Sequence, residues 1–204
     1  GGSGGGGGGG SAGGGGGPAL PRDAEWARST FGDARAARTP EQVKAAKSYQ
    51  ASGFVAVNDS LRGTVRDPLE LEYMGVKPGQ HDVDAITKGL DAQMVAIPDS
   101  AMVYRGLRDF DTEDIKVGDV LSDPAFMSTS LDKGVAQKFA THRESTFMEI
   151  ELSAGTRAAH LGETSITESE LLLARGTSLK VTGMTTMWNG QKVLRVRAES
   201  QGAQ

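Results

Sequence analysis

Three short stretches of this 204-residue chain carry side chains that could do chemistry together. The first is Val103-Tyr104-Arg105-Gly106-Leu107. An arginine ending an apolar strand presents a planar fork of donors that suits a phosphate, and Gly106 beside it leaves room for a ligand near the backbone. The second is Phe126-Met127-Ser128-Thr129-Ser130. Extended geometry sends Ser128 and Ser130 to one face and Thr129 to the other, so two hydroxyls can orient a carboxylate or touch a ligand. The third is Glu168-Ser169-Glu170, which runs straight into Leu171-Leu172-Leu173. Glutamates two residues apart on an extended chain share a face. Such a pair suits glycosyl chemistry, one stabilising a developing oxocarbenium ion and the other acting as general base. Taken singly, each stretch also fits a plain reading: a surface ion pair, a strand end with a helix cap, and an acidic strand edge.

These residues need elements to hold them. From Asp23 to about Gly63 the pattern is helical, with Thr39-Pro40-Glu41 as a helix start: a capping hydroxyl, then proline in the first turn. Val43, Ala46, Tyr49 and Gln50 recur at helical spacing, and Gly53 is expected to split the segment into two helices. Residues 64–80 read mostly as loop. Asp82 then caps a helix whose face is Val83, Ile86, Leu90 and Met94. After Pro98 the pattern becomes that of strands: 101–106, 125–130, 146–152 and 169–175, with a helix inserted over 132–140. Residues 146–152 alternate strictly, and Asn189-Gly190 predicts a two-residue hairpin between the last two strands. Helices first and strands later give an α+β chain.

Composition removes several classes of function. Net charge is −4, and no basic stripe with interleaved aromatics occurs, so no nucleic-acid partner is expected. No cysteine is present, and His81, His142 and His160 stand too far apart to pair as ligands, so no metal is expected. No apolar run approaches the roughly 20 residues of a membrane span. Residues 1–17 hold 14 of the 29 glycines. That tract matches G-x-G-x-x-G trivially, follows no strand, and says nothing of dinucleotides. It predicts a flexible linker over residues 1–22 and one domain over 23–204, with a further N-terminal domain expected on the same polypeptide.

The order of the motifs is more specific than any one of them. An arginine in Y-R-G, then S-T-S about 25 residues on, then E-x-E about 40 further, each on a strand, resembles the Arg/Ser/Glu class of mono-ADP-ribosyltransferases. It is most similar to the bacterial exoenzymes, such as the enzymatic components of clostridial binary toxins. The resemblance covers most of residues 40–198. Tyr49, Asn58, Leu61 and Arg62 in SYQASGFVAVNDSLRG resemble that family's helix pair, and Phe139 stands where the family stacks an aromatic on nicotinamide.

The resemblance implies N-terminal helices packed on a two-sheet, mainly antiparallel β core. It implies an enzyme that cleaves NAD+, consumed as substrate, and transfers ADP-ribose to an arginine of a target protein. Arg105 would bind NAD+ phosphate, and Ser128 would hold Glu170. Glu170 would bind the 2′-hydroxyl of the nicotinamide ribose and favour the oxocarbenium ion. Glu168 would align or deprotonate the acceptor, presented on a loop over 161–168. Tyr49, Asn58, Arg62, Gly106, Thr129, Ser130 and Phe139 complete the expected NAD+ contacts. Secretion, or delivery into a host cell, is the family's habit. The chain departs from the family's pattern at three places: Ser165 stands where an aromatic is common, Gly106 replaces a second basic residue, and His142 stands in place of an arginine. A catalytically inactive NAD-binding or structural module, and an NAD glycohydrolase without a protein target, are the competing readings.

Overall fold

The computed structural model describes residues 18–141, 144–162 and 169–201. Helix α1 (Ala24–Ala36) is capped by Asp23, whose carboxylate accepts from the Trp26 N–H. Helix α2 (Pro40–Ser48) begins as expected, with a full capping box between Thr39 and Gln42. Gly53 does not split the segment. A π-helical turn (Tyr49–Gly53) joins α2 to α3 (Phe54–Arg62) without a break. A Cβ on Gly53 would stand 2.6 Å from the Ser48 carbonyl oxygen, so this turn needs glycine there. The region expected to be loop contains a short helix, α4 (Pro68–Tyr73), capped by Asp67. Helix α5 (Val83–Asp91) is capped by Asp82 as expected.

The strands are β1 (Val95–Ala96), β2 (Ala101–Leu107), β3 (Val120–Ser122) and β4 (Met127–Ser130), then, after helix α6 (Lys133–Gln137), β5 (Thr146–Leu152), β6 (Arg157–Ala159), β7 (Glu170–Leu173), β8 (Thr177–Thr186) and β9 (Lys192–Gln201). They form one nine-stranded sheet in the order β1-β6-β7-β4-β2-β5-β9-β8-β3. Every pairing is antiparallel except β5 with β9. The expected two-sheet core thus takes the form of two halves of a continuous sheet. Leu171 and Leu173 from one half meet Leu179, Val181, Leu194 and Val196 from the other in a single cluster, together with Phe31 of α1. The chain is α+β, as read from its sequence.

Strand β7 is the hinge of this packing. Leu171, Leu172 and Leu173 are all fully buried. Leu171 and Leu173 enter the inter-half cluster, while Leu172 turns to the opposite face and packs with Tyr49, Val57, Ile86 and Leu90 of the helices. An unbroken apolar run is what a strand buried on both faces requires. At roughly 1.5–3 kcal/mol for each buried leucine side chain, β7 is fixed in register, and with it Glu170 at its mouth.

Three details differ from expectation. The β8–β9 connection is not a two-residue turn. Met187 and Gln191 close a longer loop, the Gly190 N–H donates to the Met187 carbonyl, and Gly190 alone has positive φ, the type I turn with a glycine bulge. The edge strands β1, β3 and β6 are two or three residues each, too short to show a period in sequence. Within the span expected to be linker, the Leu20 carbonyl accepts from the Met102 N–H and Arg22 Nε donates to the Ser100 carbonyl, so the chain already joins the sheet there. Among the described residues, no helix is long and apolar enough to cross a membrane.

Candidate functional site

A cavity of about 530 Å³ opens between the helical segment 49–62 and the strands β2, β4 and β7. Every expected site residue among those described contributes to its wall. Tyr49, Asn58 and Arg62 come from the helical side, and Arg105 and Gly106 from β2. Ser128, Thr129 and Ser130 come from β4, Phe139 from the turn after α6, and Glu170 from β7. Glu168, the acceptor-loop positions Ser165 and Ile166, and His142 lie outside the described residues. Among the described residues no cluster of three or more His, Cys, Asp or Glu side chains could hold a metal ion.

The register brings the parts together. Ser130 stands opposite Glu170, and Ser128 opposite Leu172, so both serines share the face of the glutamate. Glu170 is half-buried. Burial pushes its carboxyl above the usual range, while the Ser128 and Gln50 side chains pull it back in part. Ser128 also reaches the Tyr49 hydroxyl, and burial raises the Tyr49 phenol against hydrogen bonds with Asn58 and Ser128. Asn58 holds this hub to the strand: its Nδ2 donates to Tyr49 Oη at 3.1 Å, and its Oδ1 accepts from the Phe126 N–H at 3.3 Å. Tyr49 and Asn58 therefore act in the structure as braces behind Ser128.

The two arginines differ. Arg105 Nη1 donates to the Ser128 carbonyl at 3.1 Å, and no carboxylate among the described residues pairs with it. Burial pushes its guanidinium below the usual value. Arg62 is engaged in a two-point fork with Asp123, Nε to Oδ1 at 3.0 Å and Nη2 to Oδ2 at 2.8 Å, and this bonding raises its pKa. Burial works to raise the Asp123 carboxyl, but Arg62 and the Ala125 N–H bring it below the usual carboxylate range.

Gly106 and Thr129 serve purposes the sequence does not reveal. A Cβ on Gly106 would lie 2.5 Å from the Ala136 carbonyl oxygen, so the missing side chain lets α6 and the turn after it press onto β2. That contact carries Phe139, more than half exposed, to the cavity rim. Thr129 is buried and donates its hydroxyl to the Leu171 carbonyl at 2.8 Å, tying β4 to β7. The Ser130 hydroxyl accepts from the Asp132 N–H, at the entry to α6.

Sequence reading missed Gln50, Tyr104, Asp123 and Arg66 as members of the site. Tyr104 immediately precedes Arg105 and stacks on Phe147, with ring centroids 6.0 Å apart and planes 14° apart. Arg66 forks onto the buried Asp59 at 2.6 and 3.2 Å and also reaches Glu70. Only adjacency to a motif could have marked Gln50 and Tyr104, and partners 61 residues apart, such as Arg62 and Asp123, leave no local signal.

Comparison with known proteins points one way. The family model described as ADP-ribosyltransferase exoenzyme matches residues 23–201. Photox toxin of Photorhabdus laumondii is 28% identical over 147 residues, covering 60% of this chain and 34% of its own. Mono(ADP-ribosyl)transferase SpvB of Salmonella typhimurium is 27% identical over 166 residues, covering 69% of this chain and 27% of its own. The chain thus spans about a third or less of the length of these curated relatives. Vis toxin, an ADP-ribosyltransferase from Vibrio splendidus, shares the fold with a TM-score of 0.64 at 22% identity, over 87% of this chain and 81% of that one. Vis has also been solved in complex with agmatine.

Proposed function

The chain belongs to the ADP-ribosyltransferase exoenzyme family, and we propose that it is a mono-ADP-ribosyltransferase that cleaves NAD+ and transfers ADP-ribose to an arginine of a target protein, releasing nicotinamide. In this reading residues 23–204 are the catalytic domain, with residues 20–22 already paired to its sheet, the glycine-rich residues 1–17 lead to a further N-terminal domain, and it acts after secretion or delivery into a host cell. The observation that carries the reading is the convergence of Arg105, Ser128 and Glu170 on one cavity, with Glu170 fixed by a strand buried on both faces.

Each residue then has a task. Arg105 forms no ion pair with a carboxylate among the described residues, and its fork holds the diphosphate. Arg62 adds positive charge from the opposite, helical wall, where it is paired with Asp123. The exposed ring of Phe139 stacks on the nicotinamide. The ribose C1′–nitrogen bond breaks with its electron pair going to nicotinamide, and the sugar becomes an oxocarbenium ion. Glu170, as carboxylate, accepts from the ribose 2′-hydroxyl and stabilises the positive charge across the ring. Ser128, braced by Tyr49 and Asn58, keeps that carboxylate in place. An acceptor guanidine nitrogen then bonds to C1′ and loses a proton, which Glu168 takes. The Glu at position 168 and the agmatine complex of Vis support a guanidine acceptor, since agmatine is an arginine-like guanidine.

The test is to incubate the protein with labelled NAD+ and either agmatine or a eukaryotic cell lysate. Expected are equimolar nicotinamide and ADP-ribosyl-agmatine, and labelled lysate protein with the modified arginine mapped by mass spectrometry. Nicotinamide release without any labelled acceptor would make it a glycohydrolase. Undiminished transfer by Glu170→Ala would sink the assignment.

A further inference from the structure

We infer that Gln50 is a positioning residue for Glu170, the second jaw of a clamp whose first jaw is Ser128, and that the π-helical turn exists to put it there; this rests on the function proposed above. Gln50 Nε2 is buried and completes no hydrogen bond of good geometry among the described residues, though the side chain stands near enough to act on the Glu170 carboxyl. A buried amide N–H without an acceptor is a costly thing to keep, and it persists in native structures where a role or an absent ligand requires it. Gln50 lines the same cavity as Glu170 and lies close enough for its side chain to favour the charged carboxylate. Ser128 approaches from β4 and Gln50 from the helical wall, so the two flank Glu170 from different elements.

The backbone supports a dedicated placement. A π-turn inside a helix is rare and occurs mostly at functional sites. Here it spans Tyr49–Gly53 and carries both Tyr49 and Gln50 into the cavity wall. Two local features hold it: Gly53, where any side chain would strike the Ser48 carbonyl, and the Ser52 hydroxyl, which lies 2.7 Å from His81 Nε2. The other ionisable groups around Glu170 are Tyr49 from the turn and Arg105 from β2, with Glu168 two residues away outside the described residues. Gln50 and Ser128 are the two side-chain donors that act on the Glu170 carboxylate itself. When substrate fills the cavity and expels water, the carboxylate loses solvent and depends more on these two donors. Gln50 therefore bears on turnover more than on substrate affinity.

The test compares wild type, Gln50→Leu and Gln50→Glu, each labelled for carbon-detected NMR titration of the Glu170 carboxyl, with the fold checked by thermal unfolding. Removing the amide takes away a donor to the charged form, so the Glu170 midpoint should rise, by about one pH unit in Gln50→Leu. Gln50→Glu should raise it at least as far, through like charge, and decides the matter if the leucine variant fails to fold. In steady-state kinetics the acid limb of kcat for nicotinamide release should be displaced upward by about one pH unit in Gln50→Leu, an about tenfold loss at pH values below both midpoints, with KM for NAD+ within about threefold. An unchanged Glu170 midpoint in a folded variant overturns the inference. A displaced midpoint in a protein whose wild type releases no nicotinamide leaves the clamp standing and overturns the proposed activity instead.

Discussion

The two walls of the cavity treat their charges in opposite ways. On the helical wall, Arg62 and Arg66 are each forked onto a carboxylate, Asp123 and Asp59, and Arg66 adds Glu70. On the strand wall, Arg105 hydrogen-bonds only a carbonyl among the described residues, and Glu170, which the Gln50 amide approaches from the other wall, sits with its pKa raised by burial. A paired arginine is bound to its partner before any ligand arrives, whereas an unpaired one keeps its donors for an incoming anion. Strain against stability gathers where the chemistry is proposed, and the helical wall is where the frame is tied together.

The largest effect should come from breaking the strand wall at Glu170. Glu170→Gln should reduce nicotinamide release by about 10³-fold in kcat, the scale of losing a positioned charge or base. The same substitution should raise the melting temperature at neutral pH. A carboxyl whose folded pKa is raised adds stability below its unfolded pKa and loses it as pH rises through the folded pKa. At neutral pH the native protein therefore bears the cost of the ionised form, and glutamine removes it. Scanning calorimetry against pH checks this, with the gap between variant and wild type closing on acidification. A glutamine variant less stable than wild type at neutral pH would contradict the burial argument. Next in size is Arg105→Ala, for which NAD+ affinity should fall about 100-fold by calorimetry, with Arg105→Lys restoring only part because a lysine cannot make the fork.

The strand wall was legible in the sequence residue by residue, while on the helical wall Tyr49, Asn58 and Arg62 were marked but Gln50, Arg66 and the pairing of Arg62 were not, for a physical reason. Arg105, Ser128 and Glu170 each sit on a strand whose apolar pattern marks its position, and β7 announces itself through three consecutive leucines. The expected roles of Thr129 and Gly106 were less legible, because each depends on a distant backbone, Leu171 for one and Ala136 for the other. The π-turn was hidden because a glycine within a helical pattern reads as a break until the Ser48 carbonyl is seen beside it. The pair Arg62–Asp123 joins α3 to the turn before β4 and leaves no periodic trace.

On the helical wall the larger effect belongs to Arg66. Asp59 is buried, and Arg66→Ala would strand its charge. A loss of about 2–3 kcal/mol is expected, below the full range for a buried pair because Arg66 itself is partly exposed. Denaturant unfolding should show it, with NAD+ binding by the residual folded protein little changed.

Arg62→Ala sharpens the contrast most finely. Its pair with Asp123 is about one-third exposed on either side, so roughly 1 kcal/mol of stability is at stake, even with two-point geometry. That contribution depends on pH in a known direction. Asp123 has a lowered folded pKa, so the pair stabilises above the ordinary carboxylate pKa and fades as pH falls through the folded value. The difference in stability between Arg62→Ala and wild type should therefore shrink in acid, opposite to the trend with Glu170→Gln only in origin, since one loses a favourable ionised carboxylate and the other an unfavourable one. For NAD+ the expected change is less than about threefold, because Arg62 must leave Asp123 before it can grip a phosphate and the exchange of one anion for another gains little. Calorimetric titration of Arg62→Ala beside Arg105→Ala decides it: equal losses of affinity would mean that both walls, and not the strand wall alone, hold the diphosphate.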